Sequence, residues 1–344
     1  MKLVNSNRLE QWYGKEWIAR TSRAMQGFRY PVPILGQQRV VVYDGDFYGT
    51  IKGGYCASLL DYLLDQRGGF STFTQVKENQ AQSRTHGFNK SVIVISITGS
   101  SAHYWAVGTW PVAGSNAAGP PGGTVRTNTT TGAFPIGDAP TGKTMHLKEM
   151  WAQELSAAGS KSLMLFDCLF GVNLTATAGD SAVTGVPTRY QTSALAPGNF
   201  ITARVTLILD ATATNITITY VDQDGNTAEA GSAQAIDVAT GFSVNEVPFV
   251  QPQWFYNLNA GDTGVRNITN INFSVTNTGD IEVMIGHAIG IAPCLQVGQG
   301  WSVVDGVNSN LLLDSILNGA CLAVMSLHEG GNLGAFGKII IGVN

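Results

Sequence analysis

The chain has 344 residues, enough to bury one large or two ordinary hydrophobic cores without a metal or disulfide to staple them. Only 13% of the residues are charged, against roughly 25% in an average soluble protein. The net charge of −4 lacks the basic balance of a nucleic-acid binder. A surface this neutral, rich in Asn, Thr, Ser and Gly, suits broad permanent contacts that desolvate little charge.

Residues 1–30 depart from the average: Lys2, Arg8, Lys15, Arg20, Arg23 and Arg29 against Glu10 and Glu16 give +4, leaving −8 for the rest. Interleaved with Trp12, Tyr13, Trp17 and Phe28, this stretch is expected either to dock on an acidic neighbour or on nucleic acid, or to pack as a subdomain with solvated charges. VVVY at 40–43 and VIVISIT at 92–98 have the β-branched character of strands, with YWAVGTW at 104–110 as a pairing partner. Between them, Leu59, Leu60, Leu63 and Leu64 on one face predict a helix over 55–66, stopped by Gly68-Gly69. Gly, Pro, Asn, Thr and Ala then dominate 112–143, which reads as a linker or long surface loop.

The spacing predicts a second helix over 145–157, ending before Gly159, and then the pattern turns strongly β. Strands are expected at 163–167, 202–209, 215–221, 269–275, 280–292 and 338–343, with Asp224-Gly225 as a hairpin turn and a short helix around 309–322. The fold expected is mainly β: a β-sandwich or jelly-roll C-terminal domain over 144–344, a linker over 113–143, and a mixed α+β N-terminal anchoring region over 1–112.

Motifs for chemistry fail on context. GDAPTGKT at 137–144 satisfies the phosphate-loop pattern through Lys143 and Thr144, and Asp167 after LMLF imitates the acidic residue that holds magnesium. The loop, however, needs a buried strand before it, where RTNTTTGAFPI stands at 126–136, and the acid follows too soon for an α/β sheet. Asp222, Asp224 and Asn226 resemble the start of a calcium loop, but Gly225 and Glu229 fall at the wrong positions, and a hairpin turn explains them better. Five scattered histidines form no i,i+4 pair, and Cys56, Cys168, Cys294 and Cys321 form no CxxC pair and read as buried small hydrophobes. Ser100, Ser101 and His103 lack a nucleophile elbow. No catalytic residue, metal or cofactor is expected. Without an apolar leader or a run long enough to span a bilayer as a helix, neither membrane insertion nor secretion is expected.

HLKEMW at 146–151, SLMLFD at 162–167, AVTGVPTRY at 182–190, ITITYVDQDGNTA at 216–228, LNAGDTGVRNITNINFSV at 258–275 and LNGACLAVM at 317–325 together resemble a family of tailed-bacteriophage virion structural proteins. The resemblance spans roughly 146–325 and implies a head decoration, cement or minor capsid protein without enzyme activity. It would assemble in the host cytoplasm into the virion, as a homo-oligomer on the major capsid protein or other virion proteins. The basic, aromatic N-terminal stretch, which the resemblance does not cover, offers Arg8, Trp12, Trp17, Arg20 and Arg23 by composition as capsid-anchoring residues. The alternative is a tail or baseplate protein whose jelly roll binds glycan, with Trp254, Tyr256 and Trp301 as stacking residues.

Overall fold

A computed structural model describes residues 85–93, 103–105, 122–154, 161–227, 229–236, 246–250, 253–294, 302–305, 315–328 and 333–343. The strands at 40–43, the helix at 55–66 and the basic, aromatic segment 1–30 lie outside them. In chain order the strands are β1 (Thr85–Ile93), β2 (His103–Trp105), β3 (Thr124–Val125), β4 (Met145–Glu154), β5 (Lys161–Thr175), β6 (Gly179–Ala182), β7 (Asn199–Leu207) and β8 (Thr214–Asp222). They continue with β9 (Glu229–Ala230), β10 (Gln234–Ile236), β11 (Val265–Phe273), β12 (Asp280–Cys294), β13 (Ser302–Asp305), β14 (Leu322–His328) and β15 (Leu333–Val343). The described residues are all β, with no helix among them, and every pairing between strands within the three sheets is antiparallel. This is the architecture of a β-sandwich.

The sheets run β1-β15-β4-β13, β10-β8-β11 with β9 on β8, and β2-β14-β5-β12-β7 with β3 on β5. The third is the middle layer. Met164, Phe166, Cys168, Phe170, Val172 and Leu174 of β5 share one core with Ile216, Ile218 and Tyr220 of β8 and Ile268, Ile271 and Phe273 of β11. Leu163 and Leu165, pointing the other way by the period of two, share a second core with Met145, Leu147 and Met150 of β4 and Ile339 and Ile341 of β15. β5 is thus wrapped on both faces, which is why SLMLFDCLF reads as a continuous apolar run rather than an alternating one. In β8, which packs on one side only, the burial alternates strictly from Thr214 to Asp222.

Two sequence expectations are corrected. The helix over 145–157 is strand β4. Its register on β15 slips between Ile340↔Glu149 and Ile341↔Leu147, so Lys148 is an extra, unpaired residue. That bulge sets the buried residues at 145, 147, 150 and 152, and the three-residue step from Leu147 to Met150 imitates helical spacing. The helix around 309–322 is likewise absent from its described part. Ile316 bridges Met145 instead, Gly319 turns the chain at φ +76°, and Leu322 begins β14.

The stretch read as a linker carries only β3 as regular structure over its described residues, 122–143, yet buries Phe134, Ile136 and Ala139 in the second core. The hairpin turn after β8 is confirmed, with β9 returning at Tyr220↔Glu229. In the AGDTGVR phrase, a Cβ on Gly264 would stand 2.0 Å from the Ala196 carbonyl oxygen, so only glycine allows that backbone approach.

At one end of the sandwich, the segment after β7 and the turn after β11 are tied by Asn277. Its Oδ1 accepts from the N–H of Asp210 and Gly279, and its Nδ2 donates to the carbonyls of Asp210 and Thr212. Asp210 reciprocates by accepting from the N–H of Thr212 and Thr278. Hydrogen bonds from Thr212, and then from Thr278, hold the Asp210 carboxyl down at about 2. The folded value thus lies below the unfolded one near 3.9, so this stabilisation is complete above about pH 4 and is lost as pH falls through about 2. Asp210→Asn is expected to lower the urea midpoint at neutral pH. That deficit should narrow as pH drops from roughly 5 to 2, measured as paired unfolding curves.

Candidate functional site

The chemically distinctive place is a buried ionic network on the middle sheet, built where one edge of β5 changes partner. β14 pairs that edge from Lys161 to Asp167, and β3 takes it over at Phe170 and Gly171. At the seam, Cys168 N–H still donates to the Cys321 carbonyl at 2.9 Å, but Cys321 N–H turns to Asp167 Oδ1 at 2.8 Å. Asp167 therefore ends the ladder with its side chain.

Arg189 completes Asp167. Its Nε and Nη2 donate to Oδ2 and Oδ1, both at 2.8 Å, in a planar fork. Burial works against the guanidinium charge, and the Asp167 hydrogen bonds and charge more than offset it, so the Arg189 pKa rises. The next residue, Tyr190, takes φ +53°, the left-handed region that a bulky residue enters only when its surroundings fix it. Those surroundings are specific. The Tyr190 ring stacks on His287 at 3.8 Å between centroids, and its hydroxyl donates to the Ser315 carbonyl at 2.9 Å. Asn199 Nδ2 donates to the carbonyls of Tyr190 and Val265, leaving Oδ1 to accept from His287 Nδ1 at 2.7 Å. That geometry places the histidine proton on Nδ1.

A second group forms around Glu282 of β12. Arg126, just past β3, donates Nη2 to Oε1, and Arg204 of β7 donates Nε to Oε2 at 2.6 Å. A Cβ on Gly171 would lie 2.6 Å from Glu282 Oε1, so glycine at this point of β5 makes room for the pair. Glu246 is also fully buried. Among the described residues three arginines (Arg126, Arg189 and Arg204) and four carboxylates (Asp167, Asp222, Glu246 and Glu282) are buried, a nearly balanced set with a net formal charge of −1. Burial pushes the Cys168 thiol up to about 12, with Glu282 and Asp167 adding to the rise and Arg126 and Arg204 opposing it. Burial likewise raises Cys321, reinforced by Cys168 and Asp167. A saturated carboxylate and a neutral thiol are poor acids, bases and nucleophiles. What the network does physically is fix strand register.

The sequence marked Asp167 only as an imitation of a magnesium ligand, and its Arg189 fork replaces that reading. The loop at 137–144 corrects the phosphate-loop motif as well. Lys143 N–H closes a turn onto the Pro140 carbonyl, and a strand follows rather than a helix whose N-terminus would meet phosphate. Asp222 Oδ1 accepts from the N–H of Asp224, Gly225 and Asn226, so its oxygens shape the turn. Arg126, Arg189, Arg204 and Glu282 were missed, and the available signal was a charge set inside an apolar strand, as in TARVTLIL and DIEVMIG.

Arg8, Trp12, Trp17, Arg20, Arg23 and Trp301 lie outside the described residues. Tyr256 is buried, its hydroxyl accepting from Ile218 N–H at 2.9 Å, and Trp254 is half-buried against the first core. Between them, Phe255 lines an open cleft of about 390 Å³ with Phe200, Asn257, Leu258, Asn259 and Asp262. Among the described residues no group of three His, Cys, Asp or Glu is placed to hold a metal, and no helix is long and apolar enough to cross a membrane.

No family model and no curated protein matches the chain. Among solved structures, that of infectious bursal disease virus Gt strain aligns at 12% identity and a TM-score of 0.15, over 76% of this chain and 80% of that one. The VP2 subviral particle of infectious bursal disease virus aligns at 12% identity and 0.15, over 75% and 79%. Similarity at these TM-scores carries no argument about fold or function.

The network makes a quantitative expectation. Asp167→Asn leaves the Arg189 charge buried against a neutral amide and should cost about 3–5 kcal/mol. Arg189→Met should cost a similar amount, and the double variant less than their sum. A double-mutant cycle from urea unfolding measures this, and additive losses would remove the ion pair from the account.

Proposed function

We propose that the chain is a structural protein of a virus particle that acts by assembly rather than catalysis. Within that class, we propose a tailed-phage head decoration, cement or minor capsid protein that forms homo-oligomers on the major capsid protein. The observation carrying this reading is where the charge goes. Among the described residues, seven charged side chains (Arg126, Asp167, Arg189, Arg204, Asp222, Glu246 and Glu282) are buried. An already neutral surface is thereby left more neutral still, which suits standing contacts with little desolvation cost. Leu207, Ile208 and Val275, each more than 40% exposed, lie on the two segments tied by Asn277, and that end is the proposed contact surface. The order of phrases that resembles the tailed-phage virion family supports the particle. Immunogold labelling of purified virions should place the chain on the head. Label confined to the tail would overturn the head assignment, and its absence from virions would overturn the class.

A second reading is a tail or baseplate protein that binds glycan, and the cleft beside Phe255 is what favours it. An aromatic residue in a cleft also lined by Asn257, Asn259 and Asp262 is a composition that suits a sugar. On this reading Phe255, rather than the enclosed Tyr256, is the stacking residue. Glycan-array binding abolished by Phe255→Ala, with an unchanged melting temperature, would move the protein to the tail.

A further inference from the structure

We propose that Cys168 and Cys321 form a cross-strand disulfide site that staples β5 to the start of β14 under oxidising conditions. Both are free thiols, both are fully buried, and both belong to the same core. The register of β14 on β5, running Leu322↔Asp167 to His328↔Lys161, places Cys321 opposite Cys168 one step further along, and the 2.9 Å bond from Cys168 N–H to the Cys321 carbonyl confirms it. Directly opposed residues on one face of an antiparallel pair have Cα atoms about 5.5 Å apart when hydrogen-bonded. A disulfide accepts Cα separations of roughly 4.4–6.8 Å, with Cβ atoms about 4 Å apart.

Closing the bond therefore asks the two Cβ atoms to approach by about 1 Å. The ladder can give there. Cys321 N–H has already left the Cys168 carbonyl for Asp167 Oδ1, so no reciprocal bond between the two cysteines resists the movement. The site lies at the seam where β14 ends its hold on β5 and β3 begins, so a covalent tie spans the one interruption in that edge.

The chemistry balances with a small-molecule disulfide as oxidant. One cysteine thiolate attacks oxidised glutathione and releases one glutathione thiol. The second thiolate attacks the resulting mixed disulfide and releases the other. The two cysteines lose two protons and two electrons, and the oxidant takes up both electrons. Because burial keeps both thiols neutral, the reaction proceeds slowly, through transient opening, and not at all in a reducing compartment.

The test uses the full chain with Cys56→Ser and Cys294→Ser, leaving only this pair, equilibrated with oxidised glutathione. Unreduced digestion and mass spectrometry should find the Cys168 and Cys321 peptides joined, with the loss of two hydrogen masses. The melting temperature should rise by roughly 5–10 °C and fall back on addition of dithiothreitol. Adding Cys168→Ser should abolish that shift. Two thiols still titratable at equilibrium, glutathione adducts alone, or a cross-link only between chains would each overturn the proposal. The peptide map reads the unsubstituted pair, so it decides even where Cys168→Ser destabilises the fold, and it is indifferent to whether the protein belongs to a virion.

Discussion

The structure turns on enclosing the fifteen-residue strand β5 on both faces and both edges. β12 runs along one edge for its whole length, β14 and then β3 share the other, and separate apolar cores press on the two faces. From Leu163 to Val172 every residue of β5 is buried, so a polar side chain there cannot be solvated. Asp167 is consequently obliged to find a cation, and Arg189 is brought to it by a turn whose backbone places Tyr190 in a left-handed conformation. The strain at Tyr190, the stack on His287 and the Asn199 bridge follow from that one requirement, since each locks the segment that delivers Arg189.

The same enclosure explains why the charges occur as a nearly balanced set. Replacing a buried ion pair with apolar residues is often harmless, whereas removing one partner is severe, so such pairs argue for specificity more than for stability. Here the specificity at stake is register. In a middle layer apolar on both faces, a slip by one residue would exchange one hydrophobic set for another at small cost. Asp167, Gly171 and Glu282 mark positions on β5 and β12 where such a slip would strand a charge or drive a Cβ into a carboxylate. A strand with alternating burial, such as β8, needs no such markers.

This also accounts for how much the sequence revealed. Six expected strands were found because their β-branched residues and periodicity reflect local constraints: β8 alternates, β11 alternates from Ile271 to Phe273 beyond its bulges, and β5, β7, β12 and β15 are rich in Val, Ile, Leu and Phe. β4 was hidden because Lys148 bulges out and converts a period of two into a helical spacing. β14 was hidden because Gly319 and Cys321 sit in a phrase with no alternation to read. The network was hidden for a different reason: its members lie at 126, 167, 189, 204 and 282, and only the pairing of β5 with β12 and of β12 with β7 brings them together.

The phrases behind the phage resemblance can now be sorted by what they do. TGVPTRY delivers Arg189 and Tyr190, AGDTGVR supplies the close approach of Gly264 and the Arg266 guanidinium that donates to the Gln223 carbonyl, and LNGACLAVM begins β14 at the seam. All three are joints of the interior. A resemblance carried by such residues speaks to architecture, because those positions are held by burial whatever the molecule binds. The choice of partner must lie with outward residues the joints do not constrain, among them the exposed Val186 within TGVPTRY itself and Leu207 and Ile208 at the end of β7. What the protein binds is therefore decided at the surface, while its architecture is decided at Asp167 and its surroundings.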